Sequence, residues 1–239
     1  MNSLSIIIPA YNEEKRIAPT ITRIVNYLST KDYHGEIILV DDGSIDKTSE
    51  VARRIVKDNR LTIIKNPVNQ GKGYSVKKGI LASHGEIVLF SDADLSTPIE
   101  ELDNMMRWID KGYDIVIGSR ALSDSIVEVS QPWYRKIMGK IFNFLIRTFI
   151  LKGFKDTQCG FKCFKREAAM QIFPLQKLSG FAFDVEMLYI AKKLGLKIRE
   201  HPVRWINSPD SRVGIVSGSS SMLIDVLKVR FYDWKGYYK

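Results

Sequence analysis

A doubly wound α/β fold, with a mainly parallel sheet covered by helices on both faces, is predicted by three features of the sequence. Five short runs rich in β-branched residues recur along its first half: Leu4 to Ile8, Glu36 to Val40, Leu61 to Ile64, Glu86 to Phe90 and Asp114 to Ile117. None alternates polar with apolar residues, as a strand with one wet face would, so each reads as a strand buried on both sides. Helix-length segments, Glu14 to Ser29, Lys47 to Lys57, Lys72 to Ser83 and Ile99 to Lys111, separate most of the runs, which is the spacing of βαβ units. With 239 residues and 45% hydrophobic content, the chain can bury one sizeable core.

Each predicted strand ends in a polar cluster. The first runs into PAYNEE (9–14), the second into DDGSIDKT (41–48), the third into NPVNQGKG (66–73), the fourth into SDAD (91–94) and the fifth into GSR (118–120). An open parallel sheet binds ligands beyond the carboxyl ends of its strands, so five clusters are expected to meet at one crevice.

The second half reads differently. Over residues 133–154, Lys136, Lys140, Asn143 and Arg147 form one narrow polar stripe on an otherwise Ile-, Met-, Phe- and Leu-rich helix. Such a helix suits the core with its stripe exposed, or a membrane interface with its stripe among headgroups. Residues 215–239 form a tail in which Met222, Leu223, Val226, Leu227, Phe231 and Trp234 stand among Lys and Arg. Its pattern fits a second amphipathic anchor, a homo-oligomer contact or a docked helix. Trp133 and Trp234 suit an interface, and Trp205 suits the core.

Composition narrows the classes of partner. The net charge of +9 favours phosphate-bearing or anionic ligands. A nucleic-acid track is the non-enzyme alternative, but the acidic pairs Asp41/Asp42 and Asp92/Asp94 would share the crevice with the arginines, so no nucleic acid is expected. Two cysteines, Cys159 and Cys163, are too few for a disulfide framework and are expected as buried thiols. The sequence opens on the strand-like run from Leu4, without secretory signal features, and no stretch reaches the roughly 20 apolar residues of a spanning helix. A soluble or peripheral protein is expected.

The crevice chemistry centres on Asp92 and Asp94. Two like charges so close call for a neutralising partner. Mg²⁺ or Mn²⁺ is one, since it accepts one or two carboxylates and completes its shell with water and substrate phosphate. A lone D-x-D is weak evidence, because Asp also serves turns and helix caps, and Ser96, Thr97 and Pro98 look like a helix start. The neighbouring clusters add to it. Asp41 and Asp42 can accept from base or ribose donors, with Gly43 allowing a sharp turn. Asp46 reads as a cap. Gly71-Lys72-Gly73 offers backbone and a cation to a phosphate, and Arg120 adds a fork of donors.

SIIIPAYNEE, ILVDDGSIDKT, NQGKG and DADLSTP, in this order, resemble the family 2 inverting glycosyltransferases. The resemblance implies a GT-A type, Rossmann-like fold over residues 1–214, split into a nucleotide-sugar half (1–120) and an acceptor half (121–214). DTQCGFKCFKREAA (156–169), GFAFDVEMLYIAKKLGLKIREHPVRW (180–205) and DSRV (210–213) are similar to the polyprenyl-phosphate branch, in particular the dolichyl-phosphate β-glucosyltransferases, with mannose synthases close by. Implied is transfer of a hexose from a nucleotide sugar, UDP-glucose ahead of GDP-mannose, to a polyprenyl phosphate at the cytoplasmic face of a membrane. Ser96 stands where mannose synthases carry Gln, and Arg212 where both groups usually carry Lys. Eukaryotic glucosyl enzymes bear an N-terminal membrane span, so peripheral association here would fall to the 133–154 helix and the tail.

The same resemblance implies the roles. Pro9, Ala10, Tyr11, Glu13, Asp41, Asp42, Lys72, Asp92 and Ala93 would bind the nucleotide sugar, and Asp92 and Asp94 the metal. A phosphate monoester is already largely dianionic at neutral pH, so its attack needs a cationic cradle rather than a strong base. Arg120, Arg135, Arg204 and Arg212 are the candidates for that cradle. A sugar hydroxyl acceptor would instead need a carboxylate base, for which Asp184, and after it Glu186, are placed. The same two residues also suit the acidic first turn of a helix.

Overall fold

The computed structural model describes residues 3–128, 146, 150–206 and 215–239, of which 215–223 by their backbone alone. Strand β1 (Ser3–Ala10) leads to α1 (Ile17–Ser29), β2 (His34–Asp41), α2 (Thr48–Ile55), β3 (Leu61–Lys65), α3 (Lys72–Leu81), β4 (Ile87–Ser91), α4 (Glu101–Asp110) and β5 (Ile115–Ser119). All five predicted strands and four predicted helices form. α1 starts three residues late because the chain before it is engaged elsewhere: Glu13 N–H donates to Thr48 Oγ1 at 2.7 Å and Glu14 N–H to Asp46 Oδ2 at 3.1 Å. Asp46 also accepts the Thr48 N–H at 3.0 Å, satisfying the first turn of α2. α4 starts at Glu101, two residues after the predicted Ile99.

The second half adds β6 (Ile126–Val127), β7 (Phe161–Lys165), α5 (Arg166–Ile172), α6 (Phe183–Lys193), β8 (Ile198–Pro202), β9 (Arg204–Trp205) and α7 (Ile215–Trp234). One seven-stranded sheet runs β3-β2-β1-β4-β7-β5-β8, and β6 pairs with β9 beside it. Every pairing in the large sheet is parallel except those of β7, which is antiparallel to both β4 and β5. β7 therefore enters the sheet at the edge where the other strands leave it. That brings residues 156–160 over the carboxyl ends of β4 and β5.

The pleat sorts the core into two layers. Ile7, Ile38, Val40, Val88, Phe90, Ile115 and Phe164 face one side, against buried residues of α3, α5, α6 and α7. Leu4, Ile6, Ile8, Ile37, Leu39, Leu89 and Cys163 face the other, against α1, α2 and α4. Each fully buried aliphatic or aromatic side chain contributes about 1.5–3 kcal/mol of transfer free energy, so both layers fix the register of the strand ends.

α7 docks through Val226 and Val229, and the chain turns back so that Tyr238 is buried. Among the described residues no helix is long and apolar enough to cross a membrane. The predicted helix 133–154 lies outside the described residues except for Ile146 and residues 150–154, of which Ile146 and Leu151 are buried. Arg135, Trp133 and the DSRV stretch with Arg212 also lie outside them. Both cysteines are free and buried, and burial pushes the Cys159 thiol up to about 11.

Candidate active site

The carboxyl ends of β1, β2 and β4, the start of α3 and the entry to β7 converge on Asp92 and Asp94. Beyond β4 the chain turns at once, the Leu95 N–H donating to Asp92 O at 3.1 Å with Leu95 at φ +47°; Ala93, Leu95 and Thr97 are buried, while Asp92, Asp94 and Ser96 are half-buried. Both carboxylates act electrostatically on one ammonium, that of Lys72. Lys72, the first residue of α3, places its ammonium 2.6 Å from Asp92 Oδ1. Burial would lower this ammonium, but Asp92 and Asp184 together raise it. The rings of Phe90 and Phe181 flank it, with centroids 5.2 and 5.9 Å from Nζ.

Asp92 is fixed from behind as well. Its N–H donates to Gly160 O at 2.9 Å. A Cβ on Gly160 would stand 1.9 Å from Asp92 Oδ2, so this strand entry tolerates no side chain while Asp92 keeps its rotamer. Asp94 has lighter company: its Oδ1 accepts the Ser96 N–H at 3.1 Å. Ala93 is buried, and its carbonyl accepts from Thr20 Oγ1 at 2.6 Å.

Behind the pair lies a line of alternating charge. Lys162, on β7, is wholly buried and its ammonium donates to Cys159 O at 2.5 Å and to Asp184 Oδ1 of α6. Burial pushes the Asp184 carboxyl up, while Lys162 and Lys72 pull it down. Asp184 therefore sits between two lysines, and the order Lys162, Asp184, Lys72, Asp92 runs from the core to the opening.

Asp41 and Asp42 brace the loops that frame the site. Asp41 Oδ1 accepts the Ser44 N–H at 2.7 Å and its Oδ2 accepts from the Ser49 hydroxyl. Gly43 between them has φ +76°, the left-handed turn expected there. Asp42 Oδ1 accepts from Asn66 Nδ2 at 2.7 Å and from the Gln70 N–H at 3.0 Å, and Oδ2 takes the Gly71 N–H at 2.9 Å. Asp42 thereby sets where α3 begins, and hence where Lys72 points. Nearby, Pro9 and Ala10 are buried at the end of β1, Tyr11 is 42% exposed, and Glu13 pairs with Arg16 at 2.6 Å.

Arg120 occupies the end of β5 in a tight embrace. Its N–H, Nε and Nη2 reach Asp156 at 3.0, 2.7 and 2.9 Å, and its guanidinium lies 5.5 Å from the Trp205 ring centroid. Burial alone would raise the Asp156 carboxyl, but Arg120 and backbone N–H groups hold it at about 2. Arg204 does not join Arg120. It alternates with Trp205 on β9, so its side chain leaves on the other face, where it is half exposed and pairs with Glu128 at 2.5 Å.

Glu186 is turned away from the opening. Fully buried, it accepts the N–H groups of Lys177 and Leu178 at 2.9 and 2.8 Å and the Tyr238 hydroxyl at 2.6 Å. Asp156, Gly160 and Lys162 were not singled out from the sequence. Their signal was the compact string DTQCGFK, whose glycine precedes, and whose lysine lies within, a five-residue strand that its own lysines disguise as a polar stretch.

A divalent cation fits the chemistry of this opening. Asp92 and Asp94 supply hard carboxylate oxygens near the Lys72 ammonium, and among the described residues Asp94 accepts one hydrogen bond, from the Ser96 N–H. Among the described residues no group of three or more His, Cys, Asp or Glu gathers to hold a metal. A cation at this pair would complete its shell from phosphate or water, as Mg²⁺ commonly does.

The sequence profile of Glycosyl transferase family 2 matches residues 5–173. A Dictyostelium discoideum dolichyl-phosphate β-glucosyltransferase is 37% identical over 99% of this chain and 76% of its own length. The Mus musculus protein of the same name is 35% identical over 88% of this chain and 69% of its own. Among solved structures, mannosyl-3-phosphoglycerate synthase from Rubrobacter xylanophilus superposes with a TM-score of 0.70 at 18% identity, covering 98% of this chain and 75% of that one. Mycobacterium tuberculosis glucosyl-3-phosphoglycerate synthase, in complex with Mn²⁺ and UDP-glucose, gives 0.68 at 20% identity over 96% and 79%. At such identities these structures speak for the fold, a GT-A type α/β sheet.

Proposed function

Because the chain belongs to glycosyl transferase family 2 and is a glycosyltransferase, we propose that it moves a hexose, glucose ahead of mannose, from a nucleotide-diphosphate sugar to a polyprenyl (dolichyl) phosphate. The observation that carries this reading is the similarity to dolichyl-phosphate β-glucosyltransferases, which extends over the acceptor half as well as the donor half.

In this reading Asp92 and Asp94 would hold Mg²⁺ or Mn²⁺, whose Lewis acidity would offset charge on the departing nucleoside diphosphate. Pro9, Ala10, Tyr11, Glu13, Asp41, Asp42 and Ala93 shape the nucleoside side of the opening. Lys72 supplies a protein cation beside the carboxylates. The acceptor's phosphate oxygen forms the new bond to the anomeric carbon as the bond to the diphosphate breaks, with inversion. The protein's part is to hold both in line and exclude water. Arg120, Arg135, Arg204 and Arg212 are the candidates for the acceptor-phosphate cradle, Arg120 being held in place by Asp156 and Arg204 paired with Glu128 on the exposed face. Peripheral association with the cytoplasmic membrane face belongs to the same proposal.

The rival is a sugar hydroxyl acceptor with Asp184 as base. Against it, Asp184 is 3% exposed and paired with Lys162, so its carboxylate is already engaged. A phosphate dianion brings its own nucleophile and needs no such base.

The test is a donor panel with purified protein, a polyprenyl phosphate in detergent and Mg²⁺ or Mn²⁺. Label from UDP-glucose is expected in the lipid phase, suppressed by chelator and restored by added metal. Label that stays aqueous for every sugar nucleotide, although one of them binds, would overturn the lipid-phosphate acceptor.

A further inference from the structure

Helix α7 carries an apolar face that the packing of the described residues leaves open. Ile224, Leu227, Phe231 and Trp234 are 58, 58, 50 and 78% exposed. At about 100° per residue they fall within roughly 80° of one another on the helix wheel. Val226 and Val229, which anchor α7 to the core, lie on the opposite side. An exposed stripe of four large apolar side chains, two of them aromatic, marks an interaction surface rather than ordinary surface composition.

Charge frames this stripe. Lys228 and Lys235 border one edge and Arg230 the other, all exposed. Lys235 Nζ lies 5.6 and 5.2 Å from the ring centroids of Phe231 and Trp234. The two acids of the segment are engaged within the molecule: Asp225 pairs with Lys228 at 2.7 Å, and Asp233 with Lys193 and with the Tyr189 hydroxyl at 2.6 Å. The Lys228–Asp225 pair is neutral, so Arg230 on one edge and Lys235 on the other supply the net positive charge beside the apolar side chains.

Its position connects it to the active site. A Cβ on Gly180 would stand 3.6 Å from Asp225 Oδ2, so α7 passes directly beside that loop. The next residue, Phe181, is 42% exposed, and its ring flanks the ammonium of Lys72, which in turn touches Asp92. From the paired carboxylates to the foot of the open face the path is Lys72, Phe181, Gly180 and Asp225.

We propose that α7 docks this face on an anionic lipid bilayer, lying along its surface with Leu227, Phe231 and Trp234 at the headgroup boundary. Arg230 and Lys235 meet the anionic headgroups, and the opening at Asp92 and Asp94 comes to rest at the bilayer surface. A second copy of the chain would bring like-charged borders together, whereas an anionic bilayer complements them. The proposal deepens the acceptor reading above and rests on it for the choice of a lipid surface, since a lipid-borne phosphate is presented at headgroup depth.

The test is flotation with mixed phosphatidylcholine/phosphatidylglycerol vesicles, without donor or acceptor, on the full chain and on a Leu227→Ser, Phe231→Ser, Trp234→Ser variant. These side chains are exposed, so the variant is expected to melt like the parent. The vesicle-bound fraction should drop at least ~10-fold in the variant, while transfer to a detergent-solubilised acceptor stays unchanged. Equal flotation of both proteins, or a parent that ignores anionic vesicles, would overturn the proposal. So would a parent dimer that the substitutions split without changing vesicle binding. Transfer is read separately, so flotation without lipid-phase product would sink the acceptor reading and leave the docking face standing.

Discussion

Asp92 and Asp94 both act on the Lys72 ammonium but differ in company. Asp92 is held from two directions, by the Lys72 ammonium and by the close approach of Gly160, whereas among the described residues Asp94 accepts one hydrogen bond, from the Ser96 N–H. Asp94 is thus the freer ligand, and removing it disturbs the protein least. Asp94→Ala is expected to cut metal-dependent transfer by at least ~100-fold, while stability changes by no more than about 0.5 kcal/mol. Turnover under saturating Mn²⁺, with a thermal melt alongside, checks both. Retained turnover would remove the metal role from Asp94. The spacing of these carboxylates was plain in the sequence, and so was the need for a neutralising charge. That Lys72 supplies one could not be read, because twenty residues and a helix separate it from Asp92, and Asp42 sets the direction in which it points.

The junction of β4 with β7 is the element that organises the site. FKCFK, residues 161–165, holds two lysines in five residues and reads as a polar stretch, yet it is a central strand. Alternation explains it: Phe164 packs in one layer and Phe161 and Cys163 in the other, while Lys162 is bought into the interior by Asp184. Gly160→Ala is expected to push Asp92 off Lys72 and lower the rate of transfer severalfold, with the sheet intact. Transfer kinetics beside far-ultraviolet circular dichroism would check this, and an unchanged rate would show that Asp92 has room to move. α6 shows the same dependence on packing. Asp184 and Glu186 are two residues apart, so about 200° of helix rotation separates their directions. One faces Lys162, and the other holds residues 177–178 and Tyr238. Glu186→Gln is expected to cost about 1–3 kcal/mol in denaturant unfolding, because it weakens buried hydrogen bonds, while the folded variant transfers at the parent rate. Loss of transfer at unchanged stability would restore Glu186 to the chemistry.

At the scale of the whole molecule, Arg120 and Asp156 tie the end of β5 to the segment entering β7, closing the two halves of the sheet over one opening. Asp156 drops from 3.8 to about 2 on folding, so its contribution is full above the unfolded value and disappears as pH falls through the folded one. That contribution is roughly 2 kcal/mol. The parent should therefore lose stability between about pH 4 and pH 2 more steeply than Asp156→Asn, as acid-unfolding curves of the two would show; parallel curves would contradict the assignment. The sequence by itself determined the doubly wound sheet, four of its helices and the gathering of polar strand ends, because periodicity and spacing are local properties of the chain. Only the tertiary structure decided the partners: Lys72 on Asp92, Asp156 on Arg120, Lys162 on Asp184, Arg204 turned to Glu128, and α7 with one face docked and the other open. Each of these depends on the antiparallel entry of β7 and on which side chains the packed layers bring within hydrogen-bond reach, and neither is written in any short stretch of residues.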